Sequence, residues 1–262
     1  MILTQVLEGV PAYLLILVRV ASFFAAVPIF SYRNIPAAAK IGTSVVLAWL
    51  MDVSLQPEPL PVDGRFFLLL IKESIVGLSI GFIAMILIYA LQVAGEFIDV
   101  KMGLAMATIF DPHTSVQAPV TGNFLYTLAI LFLLSINAHY MLLDGIFYSY
   151  RLIPLETLSI HFGNGGAAEL ATEALANMFV IAFQMSVPIV GTLFLVDVAL
   201  GIVSRAVPQV NVFIVGIPFK VLVGYGVLLV TIPLIMGLVA ELSEEMTTAM
   251  RQLMQAMGGR GS

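Results

Sequence analysis

Cysteine is absent from this 262-residue chain, and charged side chains are scarce. The lack of cysteine excludes disulfides, thiolate metal sites, iron–sulfur clusters and cysteine nucleophiles, and it leaves the redox compartment undetermined. Charged residues make up 10% of the chain and hydrophobic residues 60%, against about 25% and about 45–50% in soluble domains. The composition is therefore that of an integral membrane protein or a component of a membrane assembly.

Clusters of basic residues are missing as well. The formal net charge is −5, so nothing in the composition draws the chain to nucleic acid or to anionic lipid. The first basic side chain, Arg19, lies inside an apolar run and follows Glu8. A cleaved secretory signal with a positive N-terminal region is therefore not expected.

Motifs of the common enzymes are also missing, among them HExxH, a phosphate-binding loop, a dinucleotide fingerprint and a serine elbow. The three histidines, His113, His139 and His161, are scattered along the chain and suggest no ligand set. We therefore expect no enzymatic activity, no cofactor and no metal site.

Long apolar runs are what the chain does have, and about 20 residues suffice for a helix to cross a hydrocarbon core about 30 Å thick. Such runs predict membrane helices at 13–30, 74–92, 123–140, 174–196 and 221–240. A further run, 41–51, lies between Lys40 and Asp52 and predicts a helix too short to span the membrane alone. The fold class is therefore all-α.

Stretches rich in proline and glycine separate these runs. The stretch 56–64, QPEPLPVDG, predicts an extended linker, and 159–166, SIHFGNGG, predicts a flexible junction. Gly77 and Gly81, four positions apart, would allow a neighbouring backbone to approach closely. A C-terminal stripe at helical spacing predicts a packing surface. Its members are Met246, Met250, Leu253, Met254 and Met257.

Charges inside or beside apolar runs are the strongest functional signal, because an ionisable group in a membrane helix is costly. These residues are Arg19, Lys72, Glu73, Asp197, Arg205 and Lys220. They could line a transport path or fix how helices assemble. Asp197 and Arg205 are about 80° apart on an ideal helix and could lean to one side, whereas adjacent residues such as Lys72 and Glu73 point apart. Since 74–92 and 174–196 contain no carboxylate, the pattern favours assembly over proton coupling.

The stretch 204–220, SRAVPQVNVFIVGIPFK, places two basic residues, two prolines and a glycine next to apolar runs. Proline removes a backbone donor and clashes with the preceding turn, so Pro208 and Pro218 are each expected to break or kink a helix. Backbone groups freed in this way are tolerated at membrane depth only when they are buried in protein or face a watery cavity. The stretch therefore predicts a contact with another chain or with a pore.

The residues RAVPQVNVFIVGIPFK at 205–220 resemble the signature of the FliR family, flagellar export-gate proteins related to the SctT subunit of injectisomes. GEFIDVKMGLAMATIFDP at 95–112 and RNIPAAAK at 33–40 resemble two further elements of that family. The resemblance implies a multi-helix, membrane-associated fold. In it, a FliP-like helical part, 1–166, is fused to a FliQ-like helical hairpin, 167–262.

The resemblance also implies a function, as a subunit of the bacterial flagellar type III protein export gate. The expected location is the inner membrane at the flagellar basal body, where helices long enough to span lipid can be lifted partly above the bilayer. The implied partners are FliP-like and FliQ-like subunits, an FlhB-like switch protein and flagellar proteins in transit. No nucleic acid is implied.

The segment that matches 106–120 is a plug reaching into the pore in family members. The resemblance therefore assigns a plug to Met106, Phe110, Asp111 and Pro112, and a loop with a prolyl boundary and an apolar tip could obstruct a channel. The alternative is an ordinary connection between helices. The residues expected to contact neighbouring chains are Arg205, Pro208, Gln209, Asn211, Gly216, Pro218 and Lys220.

A secondary transporter is the alternative function. Helices broken near Pro208, Gly216 and Pro218 could form a substrate site at the membrane midplane. Inverted repeats would favour this interpretation, and none is visible in the sequence.

Overall fold

A computed structural model describes residues 2–31, 35–104, 119–158, 166–209 and 211–258. All regular secondary structure in these ranges is helical, as the apolar runs predict. The helices are α1 (Ile2–Ala26), α2 (Pro28–Ser31), α3 (Ala37–Leu55), α4 (Gly64–Met102), α5 (Val120–Ser135), α6 (Ala138–Leu152), α7 (Gly166–Ala206) and α8 (Val212–Met257).

Five helices in the described ranges, α1, α3, α4, α7 and α8, are long and apolar enough to cross a membrane, and the bent pair α5–α6 is a possible sixth span. Helices α4, α7 and α8 contain 39, 41 and 46 residues. At about 1.5 Å per residue they are roughly 58–69 Å long, about twice the thickness of a hydrocarbon core. Each of these helices therefore extends beyond the hydrocarbon core by a turn or more on at least one side.

Two of the predicted runs differ from the observed helices. The prediction of a short helix at 41–51 is wrong, because α3 continues past Lys40 and Asp52 to 19 residues; charges in the end turns of a helix can reach the membrane surface. The run 123–140 is not one straight helix, because the chain bends by 75° between α5 and α6. Asn137 at this bend has a left-handed backbone with φ 60°, a conformation that asparagine adopts more readily than most residues.

The prolines of the 204–220 stretch behave differently from each other. Pro208 lies in the turn after α7, as predicted, but Pro218 is the seventh residue of α8, and α8 continues through it. Pro218 therefore does not break a helix, and the alternative that it kinks one stays a prediction. Pro11, Pro188 and Pro233 also lie inside helices, which is common where neighbouring groups satisfy the carbonyl that proline leaves free.

The chain forms two compact units, each assembled from separated segments. The first contains Met1–Leu87, Asn137–Leu175 and Glu244–Ser262, and the second contains Ile88–Ile136 and Ala176–Ser243. These two units are defined by how compactly their residues pack together, and not by similarity to FliP or FliQ. The division into a FliP-like part, 1–166, and a FliQ-like part, 167–262, stays a prediction.

Close packing of α1 against α4 organises the first unit. A Cβ atom on Gly77 would overlap the carbonyl oxygen of Arg19, and one on Gly81 would lie 2.6 Å from Ala26 Cβ. The predicted close approach at these two glycines is therefore confirmed. The methionine stripe of α8 is also confirmed as packing surface, since each of its five side chains is at most 3% exposed.

The second unit contains the end of α4, α5 and the greater part of the α7–α8 hairpin. Helices α7 and α8 present large apolar side chains outward, and only 17% of the most apolar window in each is buried. Leu222 and Val230, for example, are 72% and 80% exposed. Apolar surface of this extent needs lipid or another protein against it.

The contact at Gly77 predicts a sharp difference between two glycine substitutions. Gly77→Ala should destabilise the fold by about 1–3 kcal/mol, because the added methyl group pushes against the α1 backbone. Gly191→Ala is the matched control, since Gly191 is helical and has no atom within 4 Å of the added carbon; it should be neutral or slightly stabilising. The midpoint of thermal unfolding in detergent measures both, and equal midpoints would contradict the close approach of α1 and α4.

Candidate functional site

A buried ion cluster joins α1 to α4 in the first unit. The Arg19 guanidinium and the Glu73 carboxylate are both fully buried. Arg19 donates to both carboxylate oxygens, through Nε to Oε2 and through Nη2 to Oε1 at 3.0 Å. Lys72 Nζ lies 2.5 Å from Glu73 Oε1. The prediction that Lys72 and Glu73 point apart is therefore wrong, because the long lysine side chain bends back to its neighbour.

The remaining donors of the cluster reach the end of α6. Arg19 donates to Ser149 Oγ at 2.9 Å and to the Ile153 carbonyl at 2.8 Å. Lys72 donates to the carbonyls of Pro154 and Leu155, at 2.8 and 3.2 Å. Carbonyls at and beyond a helix end lack helical donors and carry partial negative charge, which suits two cations. The cluster thus binds α1, α4 and the segment after α6 together.

This cluster supports the assembly interpretation of Arg19, Lys72 and Glu73. Their side chains are buried, and Lys72 uses all three of its ammonium protons. A buried charge that is fully paired is costly to disturb, so it suits a fixed structural contact better than a moving proton.

A second polar junction lies in the second unit, at the two ends of the segment predicted to be a plug. Asp99 in the last turn of α4 accepts a hydrogen bond from the Thr121 amide at 3.1 Å and another from the Thr121 hydroxyl. Carboxylates stabilise helix N-termini by accepting from free amides, and Thr121 is the second residue of α5. A Cβ atom on Gly95 would overlap Gly122 Cα, so α4 and α5 meet backbone to backbone.

The end of α4 is closed by glycine. Gly103 has φ +86°, which glycine adopts without strain, and the Leu104 amide donates to the Asp99 carbonyl at 3.0 Å. We call residues 95–104 and 119–122 the stem. The predicted plug residues Met106, Phe110, Asp111 and Pro112 lie outside the described residues, so their placement stays a prediction.

An ion-pair node, formed by Asp197, Lys220 and Lys101, lies beside the stem. Lys220 Nζ is 2.9 Å from Asp197 Oδ1, and Lys101 Nζ is 3.9 Å from Asp197 Oδ2. The partners of Asp197 are these two lysines, and the expectation that Asp197 and Arg205 lean to one side stays a prediction. The node joins two separate motifs, since Lys101 belongs to GEFIDVKMG and Lys220 to VGIPFK.

The residues predicted to contact neighbouring chains divide into two groups. Five are exposed around the turn and the start of α8: Arg205, Pro208, Gln209, Asn211 and Pro218. Gly216 is buried and Lys220 is half-buried within the node. Sequence reasoning did not assign roles to Asp99, Lys101 and Thr121; the signal available was the position of Asp99 and Lys101 inside a recognised motif.

The described ranges hold no group of three His, Asp or Glu side chains that could bind a metal ion. The two sites instead hold helices in place. In one unit a buried ion cluster joins helices, and in the other the stem is held by Asp99 and lies next to a half-exposed ion pair.

Comparison with known proteins gives a consistent result. The family profile described as bacterial export proteins, family 1, matches residues 10–246. The flagellar biosynthetic protein FliR of Bacillus subtilis (strain 168) is 42% identical over 257 residues, covering 98% of this chain and 99% of the relative. FliR of Escherichia coli (strain K12) is 28% identical, covering 88% of each chain. Yop proteins translocation protein T of Yersinia pestis is 31% identical, covering 79% of this chain and 80% of the relative.

Neutralising Glu73 should unfold the first unit. Glu73→Gln leaves two buried cations facing one neutral amide, which should cost about 3–5 kcal/mol. Glu96→Gln is the matched control, because Glu96 lies on the same helix and is exposed. The yield of monodisperse protein and its unfolding midpoint should fall for Glu73→Gln alone. A Glu73→Gln protein as stable as the control would mean that the cluster does not bind these helices together.

Proposed function

This chain belongs to the bacterial export proteins, family 1, and on that premise we propose that it is a membrane subunit of the bacterial flagellar type III protein export gate. The observation that carries this proposal is the similarity to Bacillus FliR over nearly the whole chain. The likeness to a Yersinia translocation protein supports the broader assignment to type III export. The five apolar helices support an embedded component of the cell membrane.

The subunit acts by forming and closing a conduit, and it carries out no covalent chemistry. Its partners are FliP-like and FliQ-like subunits and an FlhB-like switch protein, at the inner membrane in the flagellar basal body. The outward apolar faces of α7 and α8 offer contact surface for such helices. The exposed Arg205 and Gln209 in the turn between them add polar groups for recognition.

Closure is assigned to the segment 106–120. The stem supports this role because Asp99–Thr121 and Gly95–Gly122 hold both ends of the segment together. A loop held at its base can enter a pore and leave it again while that base stays folded. Met106, Phe110, Asp111 and Pro112 are the proposed plug residues.

The alternative function, a secondary transporter, finds less support. Its substrate site is expected at helices broken near Pro208, Gly216 and Pro218. The chain is broken at Pro208, between α7 and α8, but α8 is continuous through Gly216 and Pro218.

Assembly can be tested by co-expression with FliP-like and FliQ-like subunits. The three proteins should purify as one large complex by native mass spectrometry. Arg205→Ala should lower its yield about fivefold or more, because arginines at the centre of an interface commonly contribute 1 kcal/mol or more. Arg151→Ala, an exposed arginine at the end of α6, is the control. A stable monomer that binds a small solute would count against the export function. If the Arg205→Ala complex assembles normally but leaks, the turn between α7 and α8 has the gating role instead of the assembly role.

The plug can be tested by replacing residues 106–118 with a short glycine–serine linker, which leaves the stem intact. The complex should still assemble, and the bacterial membrane should become permeable to ions and small solutes because the pore has lost its obstruction. Native mass verifies assembly, and dye uptake or ion flux measures the leak. Unchanged permeability in a complex of full mass would contradict the plug.

A further inference from the structure

The two arms of the Asp197 node are unequal. Lys220 makes a hydrogen-bonded contact at 2.9 Å, and its side chain is 19% exposed. Lys101 is at 3.9 Å, and its side chain is 40% exposed. An ion pair weakens with distance and with exposure to water, so the Lys101 contact is the weaker of the two.

The weak arm belongs to the stem. Lys101 lies two residues before Gly103, where α4 ends. The neighbouring Met102 packs on α8, since a Cβ atom on Gly224 would lie 3.0 Å from Met102 Cγ. Gly103 also faces Ile217, 3.6 Å from an added Cβ. The end of α4 is thus docked on α8 by contacts of Met102 and Gly103, the two residues that follow Lys101.

Lys101 has a second favourable position within reach. Its Nζ lies 6.0 Å from the centre of the Phe194 ring, at the outer limit of a cation–π contact. Release of Lys101 from Asp197 therefore does not leave the ammonium group without a favourable neighbour.

We infer that Asp197 is a positioning residue that docks the stem on α8, with Lys220 as its permanent partner and Lys101 as its releasable one. The inference rests on the proposed function, because it assigns a control to the same plug. In the closed state Asp197 holds both lysines, and during export the end of α4 moves away from α8 while the Asp197–Lys220 pair remains.

Reversing the charges of Asp197 and Lys220 distinguishes docking of the stem through Lys101 from a purely structural role of the Asp197–Lys220 pair. Asp197→Lys with Lys220→Glu restores the strong pair in reverse but places two lysines, at 101 and 197, against each other. The complex should assemble and leak about two- to fivefold more than the unaltered complex, the range expected for loss of a half-exposed pair. Adding Lys101→Glu should remove the leak. If the double and triple variants leak equally, Lys101 has no role in docking and the inference is wrong.

A disulfide tests whether the stem has to move. The chain contains no cysteine, so Met102→Cys with Gly224→Cys introduces one defined pair. A Cβ atom added at Gly224 would lie 3.0 Å from the Met102 γ position, which is about the distance from a Cβ to the partner sulfur across an S–S bond of about 2.04 Å. The oxidised complex should stay closed and lose most protein export, and reductant should restore export. Each single-cysteine variant, treated with the same oxidant, is the control.

The outcomes distinguish the inference from the function on which it rests. Failure of the disulfide to form in the assembled complex would contradict the docked stem, and full export through the oxidised complex would contradict release. If replacement of 106–118 produces no leak, the plug itself is wrong, whatever the disulfide shows. A leak after that replacement, together with unaltered export through the oxidised complex, would keep the plug and overturn the role of Asp197.

Discussion

Pairing of buried charge is the constraint on which this fold depends. Arg19, Lys72 and Glu73 are enclosed by apolar side chains, where an unpaired charge would cost several kcal/mol. The carboxylate serves two cations, and the carbonyls after α6 accept the donors that remain. Because the partners come from three separate parts of the chain, α1, α4 and the end of α6 can meet in only a narrow range of arrangements. The glycines at 77 and 81 then allow α1 to come close enough for the ion pair to form.

The second unit is also held by contacts of charged side chains, but these contacts differ in how deeply they are buried. Asp99 is buried and fully engaged with the start of α5, which makes the stem firm. Asp197 is half-exposed and shared between two lysines at unequal distances, which makes docking of the stem on α8 adjustable. The proposed gate needs both properties, since the base of the proposed plug has to stay folded while the plug changes position. Burial is what separates the permanent contacts from the reversible one.

The long helices of the hairpin connect this local chemistry to assembly. Helices roughly twice as long as a hydrocarbon core provide surface beyond a single membrane crossing, and they expose many large apolar side chains. The turn between them is polar, because Arg205 and Gln209 are exposed there. A hairpin with large apolar faces and a polar turn suits a helix pair that packs among similar helices and is positioned by specific contacts at that turn.

Local properties of the sequence were enough to predict much of this protein. Apolar runs predicted the helices, the FliR-like motifs predicted the family, and the spacing of Gly77, Gly81 and the methionine stripe predicted buried faces that the structure confirms. The tertiary structure alone decided which charges pair. Arg19 and Glu73 are 54 positions apart, and Arg19 and Ser149 are 130 apart, so no local pattern relates them. The same holds for the pairing of Asp197 with Lys220, which is 23 positions away on another helix.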